Sequence, residues 1–272
     1  MVDLLGKNAE TLKNKRLFLF DMDGTIYEEN RLFDGTLELM NYIHKIGGEY
    51  IFITNNSSKS VEDYINKLEN MGIPVTKENF FTSSQATALY LTKNFKDKKV
   101  FCMGTKSLIN ELLTYGIDVT VNKNDDIDVV LVGFDTELTY SKLRDTCELL
   151  FTGLPFIATN PDRACPVQFG FIPDCGAICE AIYFATNRRP LYIGKPDKMM
   201  IEYVVQKSVY SKDQTVVIGD RLYTDIASGV NANVSTICVL TGETKINDLK
   251  NSDIQPDFVF SNIREVYDII KK

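Results

Sequence analysis

Residues Leu17-Phe18-Leu19-Phe20-Asp21-Met22-Asp23-Gly24-Thr25 constrain this chain more than any other stretch. Four unbroken apolar residues read as a strand buried on both faces of a parallel sheet, the kind of sheet that belongs to α/β folds. The run ends on two carboxylates, which a core does not tolerate unpaired. They therefore belong where the strand emerges, at its carboxyl end, where open α/β sheets place their ligands. Side chains two apart on extended chain point the same way, so Asp21 and Asp23 can address one point. Gly24, with no Cβ to clash, lets the chain turn at once. A divalent cation relieves the repulsion between such carboxylates, and Mg²⁺ takes oxygen ligands of this kind. A carboxylate is also a competent nucleophile toward a phosphoryl group. Asp23-Gly24 equally suits a plain turn after a strand, so this stretch alone leaves both readings open.

The same design recurs along the chain. Tyr50-Ile51-Phe52-Ile53 runs into Thr54-Asn55-Asn56-Ser57-Ser58, whose hydroxyls and amides either gather around an anion or cap a helix starting near Ser60. Leu191-Tyr192-Ile193-Gly194 runs into Lys195 and Pro196, a lysine at a strand end followed by a proline suited to the first turn of the next helix. Alone, Lys195 also reads as an ordinary surface lysine. Thr215-Val216-Val217-Ile218-Gly219 runs into Asp220, and Asp225 follows at a helix start, a place the helix dipole favours for any acid. Leu37, Met40, Ile43 and Ile46 recur at helical spacing, with Thr36 as N-cap, and a further helix spans Val61 to Met71. From about Lys96 a second α/β pattern starts. Strands are expected at 100–104, 128–134 and 156–159, with one helix running up to Tyr115 from Thr105 as its cap and others at 141–150 and 177–185. No Gly/Ser linker marks its edges.

Bulk properties exclude several classes. At 272 residues and 44% hydrophobic the chain can bury a large core, as one domain or two. A net charge of -7 with interspersed signs lacks the basic footprint of a nucleic-acid binder. A single histidine, His44, on an expected helix surface, leaves no material for a His-based triad or a multi-His zinc site. Six cysteines in a chain this long read as reduced cytosolic thiols. Cys165, Cys175 and Cys179 cluster, but without Cys-x-x-Cys spacing or a nearby His for zinc. No apolar run reaches the length of a membrane span, and Met1 to Lys15 is polar with no signal-peptide core. The expectation is a soluble cytoplasmic protein, bound to neither membrane nor nucleic acid.

Asp-x-Asp-Gly-Thr after an apolar strand resembles the first motif of the haloacid dehalogenase-like (HAD) phosphohydrolases, and three further motifs follow in that family's order. Thr54 stands at the second motif, where a Ser or Thr holds the phosphoryl group. Lys195 stands at the third, where a lysine neutralises nucleophile and phosphate. Asp220 stands at the fourth as a cation ligand, with Asp225 supporting it directly or through water. Thr-Asn-Asn-Ser-Ser is similar to the NagD-like branch, which includes p-nitrophenyl phosphatases; that branch usually carries Asp where this chain has Tyr223.

The resemblance implies a Rossmann-like, doubly wound parallel-sheet α/β core at residues 1–85 and 189–272, with an inserted α/β cap at 86–188 that closes over the site. It implies Asp21 as nucleophile, forming an aspartyl-phosphate, and Mg²⁺ held by Asp21, Asp220 and the Asp23 backbone carbonyl. Asp23 then acts as acid and base, which calls for a drier setting than that of Asp21. Gly24, Asn55 and Asn56 join Thr54 and Lys195 around the phosphate. In the cap, Asn160, Asp162 and Arg163 of the Thr159–Pro166 stretch read the leaving group. The implied function is a Mg²⁺-dependent phosphatase of small phosphorylated metabolites: sugar phosphates, nucleotides or monoesters like p-nitrophenyl phosphate. A phosphotransferase or mutase on the same scaffold and a non-catalytic binding module are the alternatives. A small-molecule phosphate ester is the implied partner, with a homodimer through the cap. The sequence names neither the leaving group nor the oligomeric state.

Overall fold

The Leu17–Phe20 strand, wholly buried, lies inside a six-stranded sheet. The order is Phe258–Phe260, Ser235–Val239, Thr215–Gly219, Leu17–Phe20, Glu49–Thr54, Phe80–Thr82. The four pairings from Phe258–Phe260 across to Glu49–Thr54 are parallel. From the Leu17–Phe20 strand the chain passes first to Glu49–Thr54 on one side and later returns through Thr215–Gly219 on the other. That reversal makes the carboxyl ends of the central strands a topological switch point, where doubly wound sheets bind ligands. The register sets Phe20 against both Ile218 and Phe52. Asp21, Asp220 and Thr54 therefore all leave the sheet at the same edge. One face is tied by aromatic contacts from Phe18 to Phe20 (6.3 Å), Phe20 to Phe52 (6.3 Å) and Phe52 to Phe80 (5.5 Å). These rings give the strand tips a stiff base.

A second, five-stranded sheet has the order Leu191–Tyr192, Phe156–Ala158, Val129–Val132, Lys99–Met103, Asp118–Thr120, with every pairing parallel. Its core packs Phe101, Met103, Val130, Val132 and Phe156 against Ile178 and Ile182 of the Cys175–Thr186 helix. The antiparallel pair Ala164–Val167 and Gly170–Pro173 flanks it.

The computed structural model describes residues 2–272; Met1, the first residue of the polar start, lies outside them. Packing divides the chain into two units. One holds the chain up to Thr54 with Tyr64–Phe81 and Lys195–Lys272; the other holds Asn55–Asp63 and Thr82–Gly194. The family resemblance implies edges near 86 and 188, with the strand before Lys195 in the core. Leu191–Tyr192 instead hydrogen-bonds to Phe156–Ala158 in the second sheet. Asn55–Asp63 belongs to the second unit because Ser57 Oγ accepts from Phe134 N (2.9 Å) and pairs with Thr159 Oγ1 (2.9 Å). Two local expectations also change. Gly35, not Thr36, caps the Thr36–Lys45 helix, and the Thr36 hydroxyl donates to Ile26 O (3.1 Å). Pro196 lies in a loop ahead of the Met199–Lys207 helix rather than in its first turn. The helix after Thr105 is Lys106–Thr114, and Thr105 is its cap as expected, its Oγ1 accepting from Leu108 N (3.2 Å). Among the described residues, no helix is long and apolar enough to cross a membrane.

Candidate active site

Asp21 follows the central strand directly, and its N–H continues the sheet by donating to Ile218 O (2.9 Å). Its Oδ1 accepts from Lys195 Nζ at 2.7 Å. Among the described residues no donor meets its Oδ2. Lys195 also donates to Asp225 Oδ1 (2.6 Å) and to Ile53 O (2.9 Å) at the end of the neighbouring strand. All three donors of the ammonium are thus directed, and the side chain is buried. Asp225 sits in a π-helical turn, Leu222–Ile226, and its Oδ2 accepts from Arg221 N (3.0 Å). Asp220, at the tip of Thr215–Gly219, accepts from the Thr25 hydroxyl at Oδ1 (3.3 Å) and from Glu243 N at Oδ2 (2.7 Å).

Asp21, Asp220 and Asp225 each offer one oxygen within 4.8 Å of the others, and among the described residues they form the one acidic group with metal-binding spacing. Fully ionised, three carboxylates against one ammonium would carry a net charge of about −2 where Lys195, Asp220 and Asp225 are buried. The strain shows in the protonation equilibria. Burial, reinforced by Asp225, pushes the Asp220 carboxyl up to about 6, against the pull of the Glu243 N–H, Arg221 and Lys195. Burial likewise holds Asp21 well above the ordinary carboxylate range, opposed by Lys195 and assisted by Asp225 and Asp220. Burial alone would lower Lys195; the carboxylates of Asp21 and Asp225 outweigh it and hold the amine above its usual value. A hard divalent cation fits this surplus of close oxygen donors.

Asp23 is placed differently from its neighbour. Its side chain is 51% exposed, against 17% for Asp21, so the drier setting expected for Asp23 is not found. Its Oδ2 accepts from Tyr27 OH (3.1 Å), and Lys67 Nζ lies 3.7 Å from its Oδ1. The same ammonium sits 3.7 Å above the centre of the Tyr27 ring.

A family model described as haloacid dehalogenase-like hydrolase matches residues 18–118, and a second, described as HAD-hydrolase-like, matches residues 192–266. Over 261 residues the chain is 33% identical to an acid sugar phosphatase of Staphylococcus haemolyticus, spanning 96% of this chain and 98% of that protein. The chain belongs to the haloacid dehalogenase-like hydrolases. This HAD-like hydrolase matches the crystal structure of 4-nitrophenylphosphatase from Thermotoga maritima with a TM-score of 0.91 at 38% identity, over 96% of this chain and 99% of that one. It matches NagD from E. coli K-12 with a TM-score of 0.84 at 31% identity, over 92% and 98% of the two chains. It is an enzyme, a phosphoric monoester hydrolase of NagD-like type.

The other candidate residues of this HAD-like hydrolase fall in two places. Thr54 is buried at the end of its strand, and Gly24 turns against Asp220 in the first unit. Asn55, Asn56, Asn160, Asp162 and Arg163 belong to the second unit. There Asp162 Oδ2 accepts from both Asn55 Nδ2 (2.6 Å) and Asn160 Nδ2 (2.9 Å), and Asn160 Nδ2 also donates to Asp174 Oδ1 (3.0 Å). These side chains form a buried polar network. Asn56 Oδ1 accepts from Ser58 N (2.9 Å), and Arg163 is exposed. Sequence reasoning passed over Tyr27, Lys67 and the Thr241–Thr244 segment. Lys67 sits in the helix Val61–Asn70, thirteen residues beyond Thr54, and carries no motif of its own.

Proposed function

We propose that the chain is a Mg²⁺-dependent phosphatase of small phosphorylated metabolites, working through a phosphorylated Asp21. The observation that carries this reading is the Lys195 ammonium bridging Asp21 and Asp225, with Asp220 completing a group of three carboxylates around it. Among the described residues no donor meets one Asp21 oxygen, which is left to attack phosphorus, while Lys195 holds the other. The bond from phosphorus to the leaving oxygen breaks as the bond to Asp21 forms. Asp23 then gives its proton to the departing oxygen. In the second half it takes a proton from the water that cleaves the Asp21 phosphate. Asp21 and Asp220, with the Asp23 backbone carbonyl and the supporting carboxylate of Asp225, would hold Mg²⁺, which when bound offsets charge between the acidic group and the phosphate. Thr54 and Lys195 stabilise the charge that develops on the transferring group.

Sugar phosphates are the first substrates to test, because the Staphylococcus haemolyticus relative is an acid sugar phosphatase; p-nitrophenyl phosphate is the second, from the Thermotoga maritima enzyme. The test is phosphate release from a panel of esters with and without Mg²⁺, for the wild type and Asp21→Asn. Release with Mg²⁺ that disappears in Asp21→Asn is expected, since unaided monoester hydrolysis is among the slowest reactions known. Turnover retained by Asp21→Asn contradicts the reading. Phosphate passed to an added alcohol in preference to water would mark a phosphotransferase instead.

A further inference from the structure

The loop after the Ser235–Val239 strand carries none of the four motifs, yet it closes on Asp220 from several sides. A Cβ on Gly242 would lie 2.0 Å from Asp220 Oδ2, 2.4 Å from its Cγ and 2.8 Å from its Cβ. On the other side a Cβ on Gly24, whose φ is +83°, would lie 2.8 Å from the same Oδ2. The carboxylate thus stands in a slot walled by two glycines. The loop also supplies donors. Glu243 N donates to Asp220 Oδ2 (2.7 Å), and Thr244 N donates to Asp220 O (3.2 Å). Thr241 Oγ1 donates to Gly24 O (2.6 Å), which fixes the two glycine walls relative to each other. The Glu243 carboxylate reaches back to Arg221 Nε (3.0 Å) and the Tyr223 hydroxyl (3.4 Å), on the segment that leaves Asp220.

We propose that Thr241-Gly242-Glu243-Thr244 is a positioning element of the site, which holds the Asp220 carboxylate in its metal-binding orientation. It rests on the reading of the three carboxylates as a Mg²⁺ site. A methyl at 242 drives the short Asp220 side chain out of the slot and off the Glu243 N–H. Removal of the Thr241 hydroxyl frees one wall of the slot without adding bulk.

The test is Mg²⁺ binding followed by calorimetric titration of the metal-free full chain, alongside the melting temperature without metal. Groups that orient a metal ligand typically carry 10–100-fold in affinity, and a loss of about that size is expected for Gly242→Ala. Thr241→Val should weaken Mg²⁺ by about threefold or more, and Thr241→Ser, which keeps the hydroxyl, should restore wild-type affinity. Metal-free melting should shift little in the threonine variants. Wild-type Mg²⁺ affinity in a folded Gly242→Ala overturns the proposal. If that variant does not fold, Thr241→Val decides: unchanged affinity, or a melting loss without an affinity loss, leaves the loop a structural role only. A wild-type chain that takes up no Mg²⁺ overturns the metal site itself, a result that these variants do not mimic.

Discussion

Asp23 leaves the same strand end as Asp21 but is gripped by groups from farther along the chain. Tyr27 OH holds one oxygen and Lys67 Nζ approaches the other, while the lysine rests on the tyrosine ring. Burial, with the charge of Asp23 beside it, keeps the Tyr27 phenol well above its ordinary value, so it stays a donor at all working pH. Positioned acid–base groups contribute about 10²–10⁴-fold. Tyr27→Phe and Lys67→Met should therefore each lower kcat/KM for an alkyl phosphate by about tenfold or more. The loss should be clearly smaller for p-nitrophenyl phosphate, whose phenolate departs without a proton. Equal losses on the two substrates would mean that the pair serves folding and not proton delivery. The sequence shows Asp21, Asp23, Lys195 and Asp220 because each breaks an apolar pattern abruptly. It does not show Tyr27 or Lys67, because a tyrosine and a helical lysine break no pattern at all.

Strands with long apolar runs were legible as elements, and so was their consequence, since a parallel sheet forces their polar ends to one edge. What the pattern could not say is which sheet a short strand joins. Leu191–Tyr192 looks like the other motif strands but pairs in the second sheet, so Lys195 reaches Asp21 from a loop. Three-residue strands such as Phe80–Thr82 and Asp118–Thr120 are too brief to show a period. The stretch around Asn160 illustrates the opposite limit: the family resemblance implies a ligand-reading loop there, and the burial of Asn160 and Asp162 is a tertiary fact. Asn160 satisfies two buried carboxylates, Asp162 and Asp174. Hydrogen bonds to charged groups are worth about 1.5–3 kcal/mol each, so Asn160→Ala should lower stability by about 3 kcal/mol. Urea unfolding checks this; a loss under about 0.5 kcal/mol, the size of an ordinary surface change, would show that the network carries little.

For the molecule as a whole, the acidic group links stability to pH and metal. Asp220, raised to about 6, and Asp21, raised in the same direction, bind protons more tightly when folded than when unfolded. The Asp220 contribution favours the metal-free fold below the ordinary carboxylate range and is lost as pH rises through about 6, because burial, reinforced by Asp225, outweighs the Glu243 N–H, Arg221 and Lys195; that of Asp21 runs in the same direction. A cation held by these carboxylates would take the place of those protons. The rise in melting temperature on adding Mg²⁺ should therefore be larger at pH 7.5 than at pH 5, as calorimetric scans against a chelator can show. Equal rises at the two pH values would contradict this linkage. The most direct test of the mechanism is to quench the enzyme in acid during turnover of a phosphate ester with Mg²⁺ and map the peptides by mass spectrometry. A phosphoryl adduct on Asp21, absent from Asp21→Asn, is the expected result; steady turnover with an unmodified Asp21, or an adduct on another residue, would contradict it.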